Sequence, residues 1–360
     1  MNKTHNEKRK LIILLPKILR TGPILGAFAI ANTLVDEFSI TIVSIKGGVE
    51  DQIEIKEGIF LEDLSRYKDW LKRIKRFNSL MENCDDRDVV LSMCFSADLF
   101  NAIFVNKQRK ISSIRANNLQ NYTHTYGKIF GYLIDRAHKI IFRSFDNVIV
   151  ISKTMQKQVM NDDKRIPISL IENFIDEESI EKYRHKFDDQ ESIDLIFVGS
   201  LTTRKQPLLL IDGLQKILNK GIDARLSIIG VGPLISELER KVSNLSISES
   251  VKFYGHIDNP YQVIAKGDIF IMPSLSEGIS RASLEALFLG LPCLLRNIDG
   301  NAELVNQSNG VLFMNEKDYE ESLMDVIDLY RSLSGAKASL LPENFSQSSA
   351  KAKLLKLLNP

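Results

Sequence analysis

The sequence predicts an α/β protein made of two successive β/α/β units, and three observations carry that expectation. Short runs rich in Ile, Val and Phe alternate with longer segments of helical period, the pattern of parallel strands covered by helices. The alternation occurs twice, interrupted by a polar stretch over residues 172–190. With 360 residues, the chain is long enough for two cores of ordinary size.

Taken in order, strands are expected at 10–15, 40–44, 88–93, 110–114 and 147–151, then at 193–198, 224–229, 251–254, 269–272 and 293–296. Helices are expected near 26–37, 126–144, 153–161, 207–220, 235–245 and 281–290. This sets a first domain at 1–176, a linker at 177–191 and a second domain at 192–343. Pro342 breaks the chain before a helix within 345–360, whose apolar Ala350, Leu354, Leu355, Leu357 and Leu358 can pack back on the first domain or on the second.

Composition narrows the function. The chain is 44% hydrophobic and 26% charged, which excludes a disordered or disulfide-scaffold protein. A net charge of +1 argues against a nucleic-acid coat. The total hides an asymmetry, since residues 1–171 carry +8 and residues 172–360 carry −7, so the halves face different partners or each other. Cys84, Cys94 and Cys293 have no metal-binding spacing, and a reducing cytoplasm suits them. The charged start leads into only five uninterrupted apolar residues, Leu11 to Leu15, before Pro16, too few for a signal-peptide core. No stretch approaches the ~18 apolar residues of a membrane span, so any membrane contact is expected to be peripheral.

Two segments carry chemistry. Strand 193–198 runs into Gly199, Ser200 and the cations Arg204 and Lys205, then into a helix; ligands of open α/β sheets sit beyond such strand ends. Alone, such a basic pair is more often a solvated surface loop, and on this segment by itself that reading is favoured. After strand 269–272 comes a Ser/Gly loop with Glu277, and a helix opens near Ser280, its N-terminus suited to an anion. Glu285 lies within that helix among Ala282, Leu284, Ala286 and Leu287, where a merely solvated acid is less expected. Gly230-Val-Gly-Pro is a weak signal that a tight turn explains as well, and His256 reads as a loop histidine.

Across 193–313, the order of Gly199, Lys205, Gly230-Val-Gly-Pro, Phe253-Tyr-Gly, Pro273-Ser, the Glu277 and Glu285 pair, Gly290-Leu-Pro and Gly300-Asn-Ala-Glu resembles family-four retaining glycosyltransferases of GT-B fold. The resemblance implies two Rossmann-like domains facing each other across a cleft and a nucleotide-sugar donor, UDP-sugar favoured, held by the second. Lys205 would meet the diphosphate, Glu285 the ribose and Glu277 the donor sugar; the amides of Gly278, Ile279 and Ser280 would take the distal phosphate, and Phe253 and Tyr254 would border the base. The first half is looser: Gly22 stands in the loop after strand one, while Arg115 and Asn117 stand on the acceptor or sugar side, Arg115 where relatives carry a His. Ser200 replaces the family's usual Arg, and Arg281 is preferred over Arg204 as the substitute cation, because neighbours in an extended loop point apart.

No metal motif is present, and the resemblance implies metal-independent transfer without a cofactor. The implied acceptor is a saccharide, lipid-linked in a surface-polysaccharide pathway. Residues 66–77 hold six cations and one acid with Tyr67, Trp70, Leu71, Ile74 and Phe77 at helical spacing, which suits either an anionic membrane surface or an ordinary surface helix with its Trp in the core. The competing functions are a catalytically degenerate sugar-nucleotide-binding subunit and a nucleotide-sugar epimerase of the same fold. A dehydrogenase is disfavoured, since no GxGxxG follows the first strand.

Overall fold

The structure is a computed structural model and describes residues 8–48, 55–184, 192–298, 300–333 and 337–359. The chain divides into two compact units, 1–176 with 347–360, and 177–346. The charged start at 1–7 and residues 185–191 of the expected linker lie outside the described residues. Glu177–Glu181, also expected as linker, is a short helix belonging to the second unit.

The N-terminal unit is built on β1 (Lys10–Leu15), β2 (Ser39–Ser44), β3 (Ile59–Asp63), β4 (Val89–Ser92), β5 (Arg109–Ile114), β6 (Asn147–Val150) and β7 (Ile168–Leu170). All pair in parallel, in the order β3-β2-β1-β4-β5-β6-β7. Such a sheet is buried on both faces, and strand alternation splits its side chains between two cores. Leu11, Ile13 and Leu15 join one core with the helix Gly22–Leu34, whereas Ile12 and Leu14 join another with Phe77, Ala97 and Phe100. The right-handed crossover rule explains the division. From β1 the chain runs first to β2 and β3; from β4 onward it runs the other way, so the helices Trp70–Met81, Phe95–Phe104 and Lys128–Phe142 cover the opposite face from Gly22–Leu34.

The last helix, Gln347–Leu358, belongs to this unit. Ala350, Leu354 and Leu358 enter the first core, and Gln347 donates to the Thr33 hydroxyl at 3.0 Å. Its final carbonyls would be orphans; Arg9 donates to Leu358 O at 2.8 Å and Arg109 to Leu357 O at 3.1 Å, satisfying them with charge of the right sign for a helix C-terminus.

The C-terminal unit holds β8 (Ile193–Val198), β9 (Ala224–Ile229), β10 (Val251–Gly255), β11 (Ile269–Met272), β12 (Cys293–Arg296) and β13 (Gly310–Phe313), all parallel, in the order β10-β9-β8-β11-β12-β13. Among the described residues no helix is long and apolar enough to cross a membrane.

Local differences from the sequence-based expectation have local causes. Strands β3, β7 and β13 are short, of three to five residues, and too brief to show a period. The helix expected over 126–144 is Lys128–Phe142, and Gly127 at φ +81° separates it from a further helix, Asn118–Tyr126. The helix expected over 66–77 begins at Trp70, since the Asp69 carboxylate caps it by accepting from Leu71 N at 3.1 Å. Its Phe77 is fully buried with its ring 4.9 Å from that of Phe100, and Trp70 leans edge-on against Phe100 and Phe104. Part of the apolar face is therefore core.

Candidate active site

In the second sheet the chain travels from β8 outward to β10, then returns to β11 and proceeds the other way to β13. The neighbouring loops after β8 and β11 leave the sheet in opposite directions, and the crevice between them is the place where doubly wound sheets bind ligands. Of the residues singled out by sequence, Arg204, Lys205 and Glu277 meet there.

After β8 comes Gly199, half-buried, then Ser200, exposed. Thr203–Lys205 form a single 3-10 turn, closed by Gln206 in the left-handed region at φ +49°. From the other side, Glu277 reaches in from the loop after β11. Its Oε1 lies 2.6 Å from Lys205 Nζ and 3.0 Å from Arg204 Nη1. Arg204 Nη1 also donates to Ser276 O at 2.5 Å, and Leu275 N donates to Arg204 O at 2.8 Å, so the two loops are stitched by backbone as well as by charge. Lys205 is 9% exposed and its ammonium lies 3.6 Å from Met272 Sδ. A cation so placed is held largely out of water, which strengthens its field at the crevice.

The loops touch each other through glycine. A Cβ on Gly230 would stand 1.9 Å from Gly199 O, and one on Gly232 would stand 2.4 Å from Leu201 O. The Gly230-Val-Gly motif thus has a packing reason: it lets the loop after β9 lie directly on the loop that carries Arg204 and Lys205.

The helix Arg281–Phe288 starts at Ser280, whose hydroxyl accepts from Ser283 N at 3.3 Å. Ile279 and Ser280 are each 5% exposed, and Gly278 is half-buried. Glu285 is 6% exposed; its Oε1 accepts from Tyr261 Oη at 3.3 Å and lies 3.1 Å from Arg281 Nε. Phe253 and Tyr254 lie on β10, the edge strand, half-buried, with Lys252 Nζ 4.6 Å from the centre of the Tyr254 ring.

The geometry gives the two candidate substitute cations different partners. Arg281 faces Glu285 one turn along its own helix, whereas Arg204 shares Glu277 with Lys205. The reason is the local conformation. In an extended loop adjacent side chains point apart, but in a 3-10 turn of three residues per turn they differ by only about 120° and can converge.

Three residues escaped sequence reasoning. Tyr261 carries no motif and is placed by the helix Tyr261–Lys266. Arg296, at the end of β12, donates to Pro273 O at 3.2 Å and to Gln206 Oε1 at 2.9 Å, so one buried guanidinium holds both loops of the crevice. Gln206 precedes a proline, a position normally extended, and only tertiary structure discloses its left-handed turn.

Gly22, Arg115 and Asn117 belong to the N-terminal unit. Gly22 opens the helix Gly22–Leu34, with nothing within 4 Å of a built Cβ. Arg115 donates to Asn173 Oδ1 at 2.8 Å and to Gly26 O at 3.3 Å, and Asn117 caps the helix Asn118–Tyr126 by accepting from Gln120 N. Among the described residues, no three His, Cys, Asp or Glu side chains are grouped to hold a metal ion.

Two Rossmann-like units, the second with paired cations and carboxylates at its topological switch point, define the GT-B class. Within it, residues 192–332 match the family described as Glycosyl transferases group 1. It is 28% identical to an uncharacterised glycosyltransferase of Methanocaldococcus jannaschii over 237 residues, 62% of this chain and 57% of the relative. It is 31% identical to the UDP-Gal:alpha-D-GlcNAc-diphosphoundecaprenol alpha-1,3-galactosyltransferase of Escherichia coli over 175 residues, 45% of each chain. The chain thus matches about half the length of these relatives. Anabaena HepE, solved in complex with UDP-glucose, shares the fold with a TM-score of 0.71 at 16% identity, covering 97% of this chain and 99% of that one.

Proposed function

We propose that the protein is a retaining glycosyltransferase that moves a sugar from a nucleotide diphosphate donor, UDP-sugar favoured, to a saccharide acceptor. The observation that carries this reading is the convergence of Lys205 and Arg204 on one carboxylate oxygen of Glu277. The two cations are already gathered at the crevice before a ligand arrives, as preorganised electrostatic catalysis requires. With donor bound, Lys205 and Arg204 face the diphosphate, Glu277 turns to the hydroxyls of the sugar, Glu285 accepts from the ribose hydroxyls, and the amides of Gly278, Ile279 and Ser280 meet the distal phosphate.

In the reaction the bond from the anomeric carbon to the diphosphate oxygen breaks with its electron pair leaving on the diphosphate. The acceptor oxygen bonds that carbon on the face being vacated, and its proton passes to the departing phosphate. Charge on the leaving group is met by Lys205, Arg204 and the helix N-terminus, so no resident metal is required.

The acceptor is proposed to be lipid-linked, as the name of the Escherichia coli relative describes for that enzyme, in surface-polysaccharide synthesis. The protein then works in the cytoplasm at the inner face of the cell membrane, with residues 66–77 contributing positive charge toward anionic lipid.

The test is a thermal-shift screen of nucleotide sugars followed by product analysis. A donor at 100 times its dissociation constant stabilises by about 2.7 kcal/mol. A chain stabilised by no nucleoside diphosphate sugar would sink the reading; one stabilised but unable to hydrolyse or transfer the sugar would be a binding subunit.

A further inference from the structure

The helix Lys128–Phe142 is inside out. Toward its own unit it buries Gly131, Asp135, His138 and Phe142, a stripe at helical spacing that contains one apolar side chain. Gly131 sits so close to the helix Asn118–Tyr126 that a Cβ there would stand 2.4 Å from Thr123 N. His138 is tied on both ring nitrogens, Nε2 lying 2.8 Å from Asp98 Oδ2 and Nδ1 lying 2.7 Å from Tyr122 Oη. The opposite stripe, on the 129, 133, 136, 140 positions, is Ile129, Leu133, Arg136 and Ile140, all exposed, with Phe130 and Tyr132 beside it. Ile129 is 77% exposed and Phe130 68%.

The helices that flank it continue the pattern. Phe95–Phe104 buries Ala97, Asp98, Phe100 and Asn101 and exposes Leu99 and Ile103, and Trp70–Met81 exposes Leu71. Topology sets these helices side by side over one face of the sheet, and rings make the joints: Phe95 lies 5.1 Å from His138, and Phe100 lies 5.9 Å from Trp70. Of the eighteen exposed large apolar side chains among the described residues, eleven come from these three helices and Asn118–Tyr126. An apolar surface of that extent marks an interaction site rather than ordinary scatter.

Charge identifies the partner. Within these four helices the acids are Asp98 and Asp135, and both are buried. The exposed charges there and just before them include Arg66, Lys68, Lys72, Lys75, Lys128 and Arg136, with Asp69 held as a helix cap. Exposed apolar side chains on helices whose exposed charges are cationic suit the interface of an anionic bilayer, where the rings and aliphatic chains enter the acyl boundary and the cations meet the headgroups.

We propose that the outer face of the hairpin 118–142, with Leu99 and Ile103, is the membrane-inserting surface of this protein, and that residues 66–77 supply charge beside it rather than the inserted wedge. The inference deepens the proposed work at a membrane, and its test uses neither donor nor acceptor, so it does not depend on the donor reading.

The full chain is floated with phosphatidylcholine vesicles, with and without phosphatidylglycerol. Wild type binds the anionic vesicles, releases from them in high salt, and ignores the neutral ones. Ile129→Ser combined with Leu133→Ser lowers partitioning at least about tenfold with an unchanged Tm, because both side chains already face solvent. Leu71→Ser retains most of the binding. Full binding by the double variant, with loss in Leu71→Ser, overturns the assignment and leaves membrane contact standing through 66–77. No binding by wild type overturns the inference and the membrane proposal together, while stabilisation by nucleotide sugars still reports on the donor site. A wild-type dimer that the double variant renders monomeric, with vesicle binding equal in both, shows the face to be a self-association surface and overturns it too.

Discussion

The two units share an architecture and use their polar residues in opposite ways. In the C-terminal unit charged side chains are collected in the crevice between β8 and β11, with Lys205 and Arg204 on Glu277, and Arg281 on Glu285. In the N-terminal unit the corresponding region, around the ends of β4 and β5, spends its polar groups internally. Ser92 donates to Asp98 at 2.6 Å, Asp98 pairs with His138, and Tyr122 and Asn118 complete the network. One unit keeps polar groups available at its surface crevice; the other consumes them in holding a helix whose outer side is apolar. The same fold therefore gathers charge at a crevice in one copy and exposes an apolar helix face in the other.

The largest effect should come from Lys205→Ala. Removing a preorganised cation from the leaving diphosphate is expected to lower kcat about 10²–10³-fold. Arg204→Ala should fall in the same range and Arg281→Ala should cost under about tenfold in turnover, since Arg281 is spent on Glu285. Steady-state rates of the three variants decide the ranking, and a crippled Arg281→Ala beside a near-normal Arg204→Ala would reverse it.

His138→Ala sharpens the comparison from the other side. It leaves the buried Asp98 carboxylate and Tyr122 hydroxyl without their shared partner, which should destabilise the N-terminal unit by on the order of 3 kcal/mol. Nucleotide affinity, measured calorimetrically at a temperature where the variant is folded, should not change. A matching loss of affinity would mean that the network serves the donor site.

Tyr261→Phe removes the hydroxyl that donates to the Glu285 carboxylate and should raise the Kd for nucleoside diphosphate by about three- to tenfold. An unchanged Kd would take Glu285 out of the ribose role. Chelator should leave turnover as it is, and a strict requirement for divalent ion would contradict the assignment of leaving-group charge to Arg204 and Lys205.

The smallest effect concerns Asp163, in the N-terminal unit. Hydrogen bonds from Arg165 and Arg143 hold its carboxyl well below the usual range. A depressed folded value means stabilisation that is full above the unfolded pKa of about 3.9 and is lost as pH falls through the folded one. Asp163→Asn should therefore melt below wild type at neutral pH, with the gap closing only in strong acid. A gap of constant size from pH 7 down to pH 2 would show that the effect is steric.

The C-terminal unit was largely legible in the sequence because its signals are local. A strand end, a glycine, a cation pair and a helix cap lie within a few residues of one another, and Glu277 and Glu285 share one loop and helix. That Arg204 shares a carboxylate with Lys205 is not legible locally, because it depends on whether 203–205 is extended or turned, and Gln206 closes that turn in a left-handed conformation before a proline. Arg296 was invisible for a different reason. It comes from β12, about ninety residues after Gln206, and nothing in its neighbourhood says that it will bridge two loops. In the N-terminal unit the helix expected over 126–144 leaves out the separate helix Asn118–Tyr126 that precedes Gly127, and the period of a pattern does not say which side of Lys128–Phe142 looks inward.

The helix Gln347–Leu358 has a consequence for biogenesis. Because its Leu354 and Leu358 complete the core against the helix Gly22–Leu34, and its last carbonyls rest on Arg9 and Arg109, the segment that finishes the N-terminal unit is made after the whole C-terminal unit. The C-terminal half therefore emerges with all its strands in hand, while the half made first still lacks a piece of its core. The emergence of residues 347–358, rather than of residue 176, is the moment at which the N-terminal unit can close, and until then its apolar sheet face is the one that a chaperone would meet.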